Sequence, residues 1–233
     1  MLIWPQISGR LKVLLVGAGG NGSEMLSALA KIDSGLQAFG HKGLDVTVYD
    51  DDICSEANCY RQRFHFQDIG QLKSLVLVHR LNQMMGLNWT AIPEKITAES
   101  IKNADLIISC VDNYAARKLI YESKENAKSH ALWMDLGNGD KFGQIVIGTL
   151  SDANPNPVEN VVDVYPEILT TTDKPNKASC SAIESLTRQD LMLNAMMGCQ
   201  AGNMLWQLIR KGCLKSNELR VDSEACEVIT VNQ

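Results

Sequence analysis

The sequence has no stretch close to the roughly 20 consecutive apolar residues that a membrane-spanning helix needs. Its first residues, MLIWPQISGR, lack the basic segment and long apolar segment of a secretory signal. It also has no excess of basic residues, because 22 Lys and Arg against 27 Asp and Glu give a formal net charge of -5, whereas nucleic-acid-binding surfaces are basic. We therefore expect a cytoplasmic protein that binds neither membranes nor nucleic acid.

Paired metal ligands are missing as well. The seven cysteines form no C-x-x-C pair, and the four histidines form neither H-x-x-x-H nor H-E-x-x-H. A structural zinc site usually needs such pairs. We therefore expect free thiols in a reducing compartment and no zinc.

No composition shift or linker divides the 233 residues, which predicts a single domain over 1–233. Within it we expect a nucleotide-binding half at 1–150, a mobile crossover loop at 151–180, and a long helix with an edge hairpin at 181–233. The hydrophobic fraction of 45% is typical of a globular chain with a buried core.

Strand and helix patterns alternate along the chain, which predicts an α/β fold. The expected architecture is a Rossmann-like, doubly wound, mostly parallel sheet extended by antiparallel edge strands, with helices on both faces. The turn Asn138-Gly139 predicts a hairpin, and ELRVDS with CEVITV predicts a second one. The predicted helices include 22–32, GQLKSLVLVHRLNQMMG, 114–127 and 182–211. Small residues in NAMMGCQAGNML favour close packing of the last helix on a partner helix, while Cys110, Cys199, Trp133 and Trp206 are expected in the core.

The segment VGAGGNGSEML follows the apolar strand LKVLLV and leads into a helix. Its glycines permit a tight turn and bring backbone N–H groups against a phosphate, and the helix N-terminus adds partial positive charge. Nicotinamide, flavin and adenylating proteins share this pattern. The predicted phosphate-binding glycines are Gly17, Gly19, Gly20 and Gly22.

Three further segments, YDDDICSEANCYRQRF, DIGQLKS and CVDNYAARK, follow in an order that resembles the ThiF/MoeB/HesA family of adenylating proteins related to ubiquitin-activating enzymes. That family carries D-x-D after the second strand, then N-x-x-R-Q, a helical Lys and a D-N pair. The matching positions are Asp50, Asp52, Asn58, Arg61, Gln62, Lys73, Asp112 and Asn113, with Arg117 one helical turn beyond. The later segments WMDLGNG, GQIVIG and SCSAIESLTRQDLMLNAMMG are similar to ThiF-related proteins of the PRTRC plasmid gene cassette.

The resemblance implies an enzyme that uses ATP and Mg²⁺ to adenylate the C-terminal carboxylate of a small ubiquitin-like β-grasp protein, releasing pyrophosphate. It also implies a homodimer. Among the matched positions, it assigns Asp52, Gln62 and Asn113 to the nucleotide site.

The chemistry of that reaction explains several residue types on its own. Attack of a carboxylate on the α-phosphate joins two anions, so the site needs cations; Arg61 and Lys73 are the candidates. Asp112 follows a buried strand and suits Mg²⁺. Asp50 ends the second strand, where an acidic residue binds ribose hydroxyls. Asn58 can donate to a phosphate or orient Arg61.

Each residue also has a structural alternative. The DDD run can be a solvated strand end, Arg61 can lie on the surface, Lys73 can extend its amine to solvent, and Asp112-Asn113 can cap a helix. Cys180 precedes the last helix in a region where some relatives carry a reactive cysteine. A helix N-terminus would lower its thiol pKa, and a packing role is the alternative.

The chain departs from the family pattern near its start. Many relatives carry an N-terminal arm with an arginine that reaches the ATP of the opposite subunit, whereas Arg10 is the sole arginine before the first strand here. Either Arg10 or Arg63 takes that role, or adenylation is weaker. The alternative functions are therefore a non-catalytic nucleotide-binding module and, on the glycine loop and Asp50 alone, an NAD(P)-dependent oxidoreductase.

Overall fold

The computed structural model describes residues 1–4, 9–173 and 189–231. Ten strands are found there: β1 (Leu2–Ile3), β2 (Leu11–Val16), β3 (Leu44–Tyr49), β4 (Thr90–Ile92), β5 (Leu106–Ser109), β6 (Leu132–Asn138), β7 (Phe142–Thr149), β8 (Cys213–Leu214), β9 (Glu218–Asp222) and β10 (Glu227–Val231). The α-helices of these ranges are α1 (Gly20–Ala38), α2 (Asn58–Arg61), α3 (Lys73–Met85), α4 (Ala98–Ile101), α5 (Tyr114–Glu122), α6 (Val161–Val164) and α7 (Leu193–Lys211).

Eight strands form one sheet in the order β10-β9-β7-β6-β5-β2-β3-β4. Strands β4, β3, β2, β5 and β6 run parallel to one another, and β7, β9 and β10 extend the sheet antiparallel. The chain passes from β2 to β3 on one side and to β5 on the other, so the strand order reverses beside β2. In open α/β sheets, ligands bind at the carboxyl ends of the strands at such a reversal.

The sheet has an apolar core on each face. In β2, Val13 and Leu15 contribute to the core that also contains residues of α1, α3 and α7. Leu14 and Val16 contribute to the other core, with residues of α4, α5 and α6. A strand buried on both faces is typical of the centre of a doubly wound sheet. The predicted fold class is confirmed.

The two predicted hairpins are also confirmed. Strands β6 and β7 pair antiparallel across the Asn138-Gly139 turn, which the Gly139 amide closes by donating to the Phe142 carbonyl at 2.7 Å. Strands β9 and β10 form the antiparallel edge. Both hairpins have strong local turn or strand patterns, which explains why the sequence is sufficient to find them.

Helix α1 is longer than the predicted 22–32. It continues to Ala38 through the Gly- and Ser-containing segment that follows residue 32. Leu36 is buried in the core, and the Asp33 carboxylate accepts from the Leu44 amide at 2.6 Å. These tertiary contacts outweigh the weak helix propensity of the segment.

The end of helix α5 and the crossover also differ from expectation. Helix α5 ends at Glu122 instead of 127 and is followed by a 3-10 turn at Lys124–Asn126. The segment 151–180 is expected to be a mobile crossover loop. Its described part contains α6 and a 3-10 turn at Pro166–Leu169. Both elements are too short to produce a periodic pattern, and the buried Asn160 side chain holds them by donating to the Thr149 carbonyl.

Helix α7 begins at Leu193. The prediction of helix from 182 is therefore wrong for residues 189–192, and residues 182–188 lie outside the described ranges. The core prediction is wrong for Cys199, which is exposed on α7, because the helix turns that position away from the sheet. Trp133 is fully buried, whereas Cys110 and Trp206 are partly buried against the core.

Helices α1 and α7 pack closely along small residues, as NAMMGCQAGNML predicts. A Cβ placed on Gly198 would lie 2.5 Å from Cβ of Glu24, and one on Gly202 would lie 2.8 Å from Cβ of Ala28. A Cβ on Gly20 would meet the Asn194 side chain at 2.6 Å. The spacing of four residues on both helices places these contacts in one row. This row fixes α7 against the start of α1.

We therefore expect Gly198→Val to destabilise the fold by about 1–3 kcal/mol, because the new side chain has no space against Glu24. Cys199→Val is the matched control, since this exposed neighbour lies on the same helix. Urea denaturation would measure both changes in the free energy of unfolding. Equal effects of the two substitutions would contradict the close packing of α1 and α7.

Candidate functional site

The glycine loop lies between β2 and α1 and leaves no space for side chains at two positions. A Cβ on Gly22 would lie 1.9 Å from the Gly17 carbonyl oxygen, and one on Gly17 would lie 2.7 Å from the Cys110 carbonyl oxygen. Gly17 also has a φ of +89°, which favours glycine. The loop therefore holds the N-terminus of α1 directly against the ends of β2 and β5.

Gly19 directly precedes α1 and has no side chain to cap the helix. The amide groups of the first turn carry partial positive charge and bind anions well when they are not capped. Of the four predicted glycines, Gly17 already donates its amide to the Tyr49 carbonyl at 2.9 Å. The amides of Gly19, Gly20 and Gly22 are therefore the candidate donors for a phosphate.

Asp50 follows β3 and lies against this loop. Its carboxylate accepts from the Ala18 amide at 2.5 Å and from the Asp52 amide at 2.9 Å. Burial raises the pKa of Asp50, and these amides together with the charge of Lys73 offset part of that shift. The alternative of a solvated strand end therefore fits Asp51, which is exposed, but not Asp50.

Lys73 is the first residue of α3, and its side chain is 9% exposed. Its Nζ atom donates to the Asp52 carboxylate at 2.8 Å, and its backbone amide donates to the Asp52 carbonyl at 2.9 Å. The amine thus does not extend freely into solvent. Because the Asp52 side chain is 68% exposed, the Lys73 cation lies in a pair that is buried on one side and open on the other.

The N-x-x-R-Q segment forms α2 and the turn after it. Asn58 accepts from the Ser55 amide at 2.9 Å, so its oxygen stabilises the turn into α2. The Arg61 guanidinium donates to the Gln189 side chain. The Gln62 Nε2 atom lies 4.0 Å from the position of a Cβ on Gly19, and its Oε1 atom is buried without a hydrogen-bond partner among the described residues. The Gln62 side chain therefore lies near the glycine loop and carries an oxygen atom that has no hydrogen-bond partner there.

Asp112 and Asn113 connect β5 to α5 and differ in their contacts. The Asn113 side chain caps α5 by accepting from the Ala116 amide at 2.9 Å, which is the structural alternative given above for this residue. Asp112 is exposed, and within the described ranges no hydrogen bond or ion pair engages its carboxylate. An exposed, unpaired carboxylate fits Mg²⁺, which takes one or two carboxylates together with phosphate oxygens.

The described ranges contain no group of three or more His, Cys, Asp or Glu side chains arranged to hold a metal ion. A magnesium ion bound mainly through nucleotide phosphates does not require such a group. The fit of Mg²⁺ to the chain therefore depends on Asp112 alone.

Asp173 contacts the start of α5, and no sequence pattern predicts this contact. Its carboxylate accepts from the Tyr114 amide at 2.6 Å and from the Ala115 amide at 3.0 Å, directly beside Asp112 and Asn113. The distance in sequence between Asp173 and α5 leaves no local pattern that could reveal the pairing.

A buried polar network lies between the start of α5 and the sheet. The sequence does not predict it. The Asp135 carboxylate accepts from Arg117 Nε at 2.9 Å and from Ser109 Oγ at 2.5 Å, and Trp133 Nε1 donates to Ser109 at 2.7 Å. Burial lowers the pKa of Arg117, but the Asp135 charge and hydrogen bond outweigh this effect and raise it. Arg117 also donates to the Asn113 carbonyl at 3.4 Å, so a permanent cation holds the turn that carries Asp112.

Three asparagines connect the glycine-loop helix to α7. Asn138 donates to Asn21 at 3.0 Å and to Asn194 at 2.8 Å, and Asn194 donates to the Arg61 carbonyl at 3.3 Å. Asn21 and Asn194 are buried. The α1/α7 contact therefore also fixes the backbone of the Arg61 segment.

The two arginines considered as replacements for an N-terminal arm lie in different places. Arg63 donates from Nε to the Glu24 carboxylate of α1 at 2.7 Å. Arg10 is exposed directly before β2, at the edge of the sheet opposite to its own glycine loop. Cys180 lies outside the described residues.

The raised pKa of Asp50 predicts a pH-dependent stability. The folded chain holds the Asp50 proton more readily than the unfolded chain, so this group favours folding fully below its ordinary pKa of 3.8 and loses that contribution as the pH rises through the raised value. Asp50→Asn should therefore unfold at higher urea concentration than the unchanged protein at pH 7, with a difference that shrinks towards pH 4. Asp51→Asn is the exposed control. A lower midpoint for Asp50→Asn at pH 7 would contradict this assignment.

Comparison with known proteins gives three kinds of match. The profile of the ThiF family matches residues 7–138. The chain is 31% identical over 129 residues to the adenylyltransferase and sulfurtransferase UBA4 of Yarrowia lipolytica, covering 50% of this chain and 30% of that protein. It is 28% identical over 163 residues to the probable adenylyltransferase/sulfurtransferase MoeZ of Mycobacterium tuberculosis, covering 67% and 38%. The chain thus spans about a third of the length of these curated relatives.

Solved structures agree on the fold. Escherichia coli MccB with ATP superposes with a TM-score of 0.67 at 15% identity, over 97% of this chain and 64% of that chain. A structure of PaaA superposes with a TM-score of 0.66 at 15% identity, over 95% and 64%. The family profile covers more than half of the chain and runs from before β2 to the end of β6, which includes the glycine loop, Asp50, Lys73 and Asp112. The chain belongs to the ThiF family.

Proposed function

We propose that this protein uses ATP and Mg²⁺ to adenylate the C-terminal carboxylate of a small ubiquitin-like β-grasp protein, with release of pyrophosphate. The observation that carries the proposal is that an uncapped helix N-terminus, a half-buried acid and a paired cation lie together at one edge of the sheet. The adenylyltransferase names of UBA4 and MoeZ support this chemistry.

The nucleotide would lie across the carboxyl ends of β2, β3 and β5. We assign the phosphates to the amides of Gly19 and Gly20, because no side chain covers the start of α1. We assign the ribose hydroxyls to Asp50. The Gln62 side chain, whose Nε2 atom lies near Gly19 and whose Oε1 atom is unpaired, supports a polar ligand close to the loop, because buried acceptors are rarely left without a donor.

Charge neutralisation is the main task of the side chains. The attacking carboxylate and the triphosphate repel each other, so cations fixed before the reaction lower the barrier. Lys73 contributes one positive charge, and Arg61 contributes a planar fork that suits phosphate oxygens. Mg²⁺ held by Asp112 would supply further positive charge at the phosphates.

Arg117 and Asn113 would act as positioning residues. The Arg117–Asp135 pair is buried and anchors the Asn113 carbonyl, and the Asn113 side chain caps α5. Together they fix the turn that presents Asp112. Asp52 would hold Lys73, and Asn58 would stabilise the turn into α2 that carries Arg61.

We further propose a cytoplasmic homodimer, because the exposed Arg10 lies at the edge opposite to its own glycine loop and can complete a nucleotide site only in a second copy. Light scattering would test the dimer, and a monomeric mass would contradict it.

The narrower resemblance to the PRTRC cassette proteins remains a prediction. Within the described ranges, no helix combines the length and apolarity needed to cross a bilayer.

A nucleotide-binding module without turnover is the second candidate function. Asp173 already places a carboxylate on the first amides of α5, beside Asp112, and this negative charge opposes the approach of a second carboxylate. Such a protein would bind ATP but would not exchange pyrophosphate.

The test is ATP–pyrophosphate exchange with Mg²⁺, measured with and without β-grasp proteins encoded near the gene. We expect exchange that requires one such protein and its intact C-terminus. Asp112→Ala should lower the exchange rate at least about 100-fold, while Asp51→Ala, an exposed control, should leave it unchanged.

The possible outcomes separate the two functions. Retained exchange in folded Asp112→Ala would remove this residue from the mechanism. ATP binding without exchange in the presence of any candidate partner would favour the non-catalytic module.

A further inference from the structure

Two cysteines lie together in the segment between Asp52 and Arg61. The Cys54 thiol and the Cys59 thiol both donate to the Ser55 carbonyl, each at 3.7 Å. The two thiols therefore share one acceptor. The function proposed above uses neither side chain.

The two thiols differ in their surroundings. Cys54 is buried, and Cys59 is partly exposed on α2. Burial raises the pKa of the Cys54 thiol to about 11, and the neighbouring Cys59 adds to this shift. Oxidants react with exposed thiols before buried ones. Of these two thiols, Cys59 is therefore oxidised first, and Cys54 is the resolving thiol that reacts with it.

We propose that Cys54 and Cys59 form a reversible disulfide under peroxide, and that this modification weakens nucleotide binding. The effect on nucleotide rests on the proposed function, whereas formation of the disulfide does not.

The chemistry balances in two steps. Hydrogen peroxide oxidises the Cys59 thiol to a sulfenic acid, so that an S–O bond forms, the O–O bond breaks and one water is released. The Cys54 sulfur then attacks the Cys59 sulfur, so that the S–S bond forms and the S–O bond breaks; the departing hydroxide takes the Cys54 proton and leaves as water. The two thiols lose two electrons and two protons, and a dithiol reductant restores them by exchange.

Formation of the bond must move α2. Cys54 is fixed to the turn before α3, because its amide donates to the Gln71 carbonyl at 2.8 Å and its carbonyl accepts from the Gly70 amide at 2.9 Å. An S–S bond is about 2 Å long, and the two free thiols each lie 3.7 Å from the Ser55 carbonyl oxygen. Cys59 therefore has to approach Cys54 and shift the short helix on which it lies.

The shift would act on residues assigned to the nucleotide site. Helix α2 carries Asn58 and Arg61, and Gln62 follows it directly beside the glycine loop. Positions of donors on a phosphate must hold within fractions of an ångström. Displacement of this segment would therefore reduce the affinity for ATP.

Mass spectrometry would detect the disulfide directly. Trypsin releases residues 43–61 as one peptide that contains Cys54 and Cys59 and no other cysteine. After treatment with hydrogen peroxide, the peptide should be lighter by two hydrogen atoms and should resist alkylation. Cleavage after Glu56 should leave its halves joined until a dithiol is added. A peptide that is fully alkylated, or joined to a different cysteine, would overturn the proposal.

The effect on binding is measured by calorimetric titration of the reduced and oxidised protein with ATP and Mg²⁺. We expect at least about a tenfold loss of affinity on oxidation, reversed by dithiol and absent in Cys59→Ser. Cys226→Ser, which removes an exposed cysteine far along the chain, should behave as the unchanged protein. Equal affinities of the reduced and disulfide forms would refute the switch, whereas a reduced protein that does not bind ATP would refute the proposed function and leave the peptide mass to decide the disulfide.

Discussion

The structure depends on the close approach of three backbone segments at the glycine loop. The Gly17 turn lies against the end of β5, and α1 starts against the same turn, with no space for a Cβ at Gly17 or Gly22. The Ala18 amide donates to Asp50, which ties β3 to the same point. Because β3 and β5 flank β2, this one turn determines where the side chains that follow both strands meet.

Polar networks then fix the elements around the loop. One network runs through the three asparagines that join α1, β6 and α7, and the other contains the buried Arg117–Asp135 pair under the start of α5. Removing one member of a buried, paired network leaves the other uncompensated, which is costly. Such networks hold geometry more than they add stability. They explain how short and polar connections stay in place beside the proposed nucleotide site.

Much of this arrangement is encoded locally and could be predicted. The strands, both hairpins and the glycine turn have patterns that extend over a few residues. The position of Asp50 follows from where β3 ends, and that of Lys73 follows from where α3 begins. The rest depends on partners far apart in sequence. No local pattern pairs Asp173 with α5, extends α1 past residue 32, or turns Cys199 to solvent. The functional roles of the matched residues remain proposals, because a hydrogen-bond network fits both a catalytic site and a binding module.

The central claim is that the carboxyl edge of β2, β3 and β5 is a nucleotide site. A crystal structure with Mg²⁺ and a non-hydrolysable ATP analogue tests it most directly. The account predicts phosphates on the amides of Gly19 and Gly20, the ribose on Asp50 and the metal ion on Asp112. An analogue bound at another place on the chain, or a saturated crystal with an empty glycine loop, would contradict it.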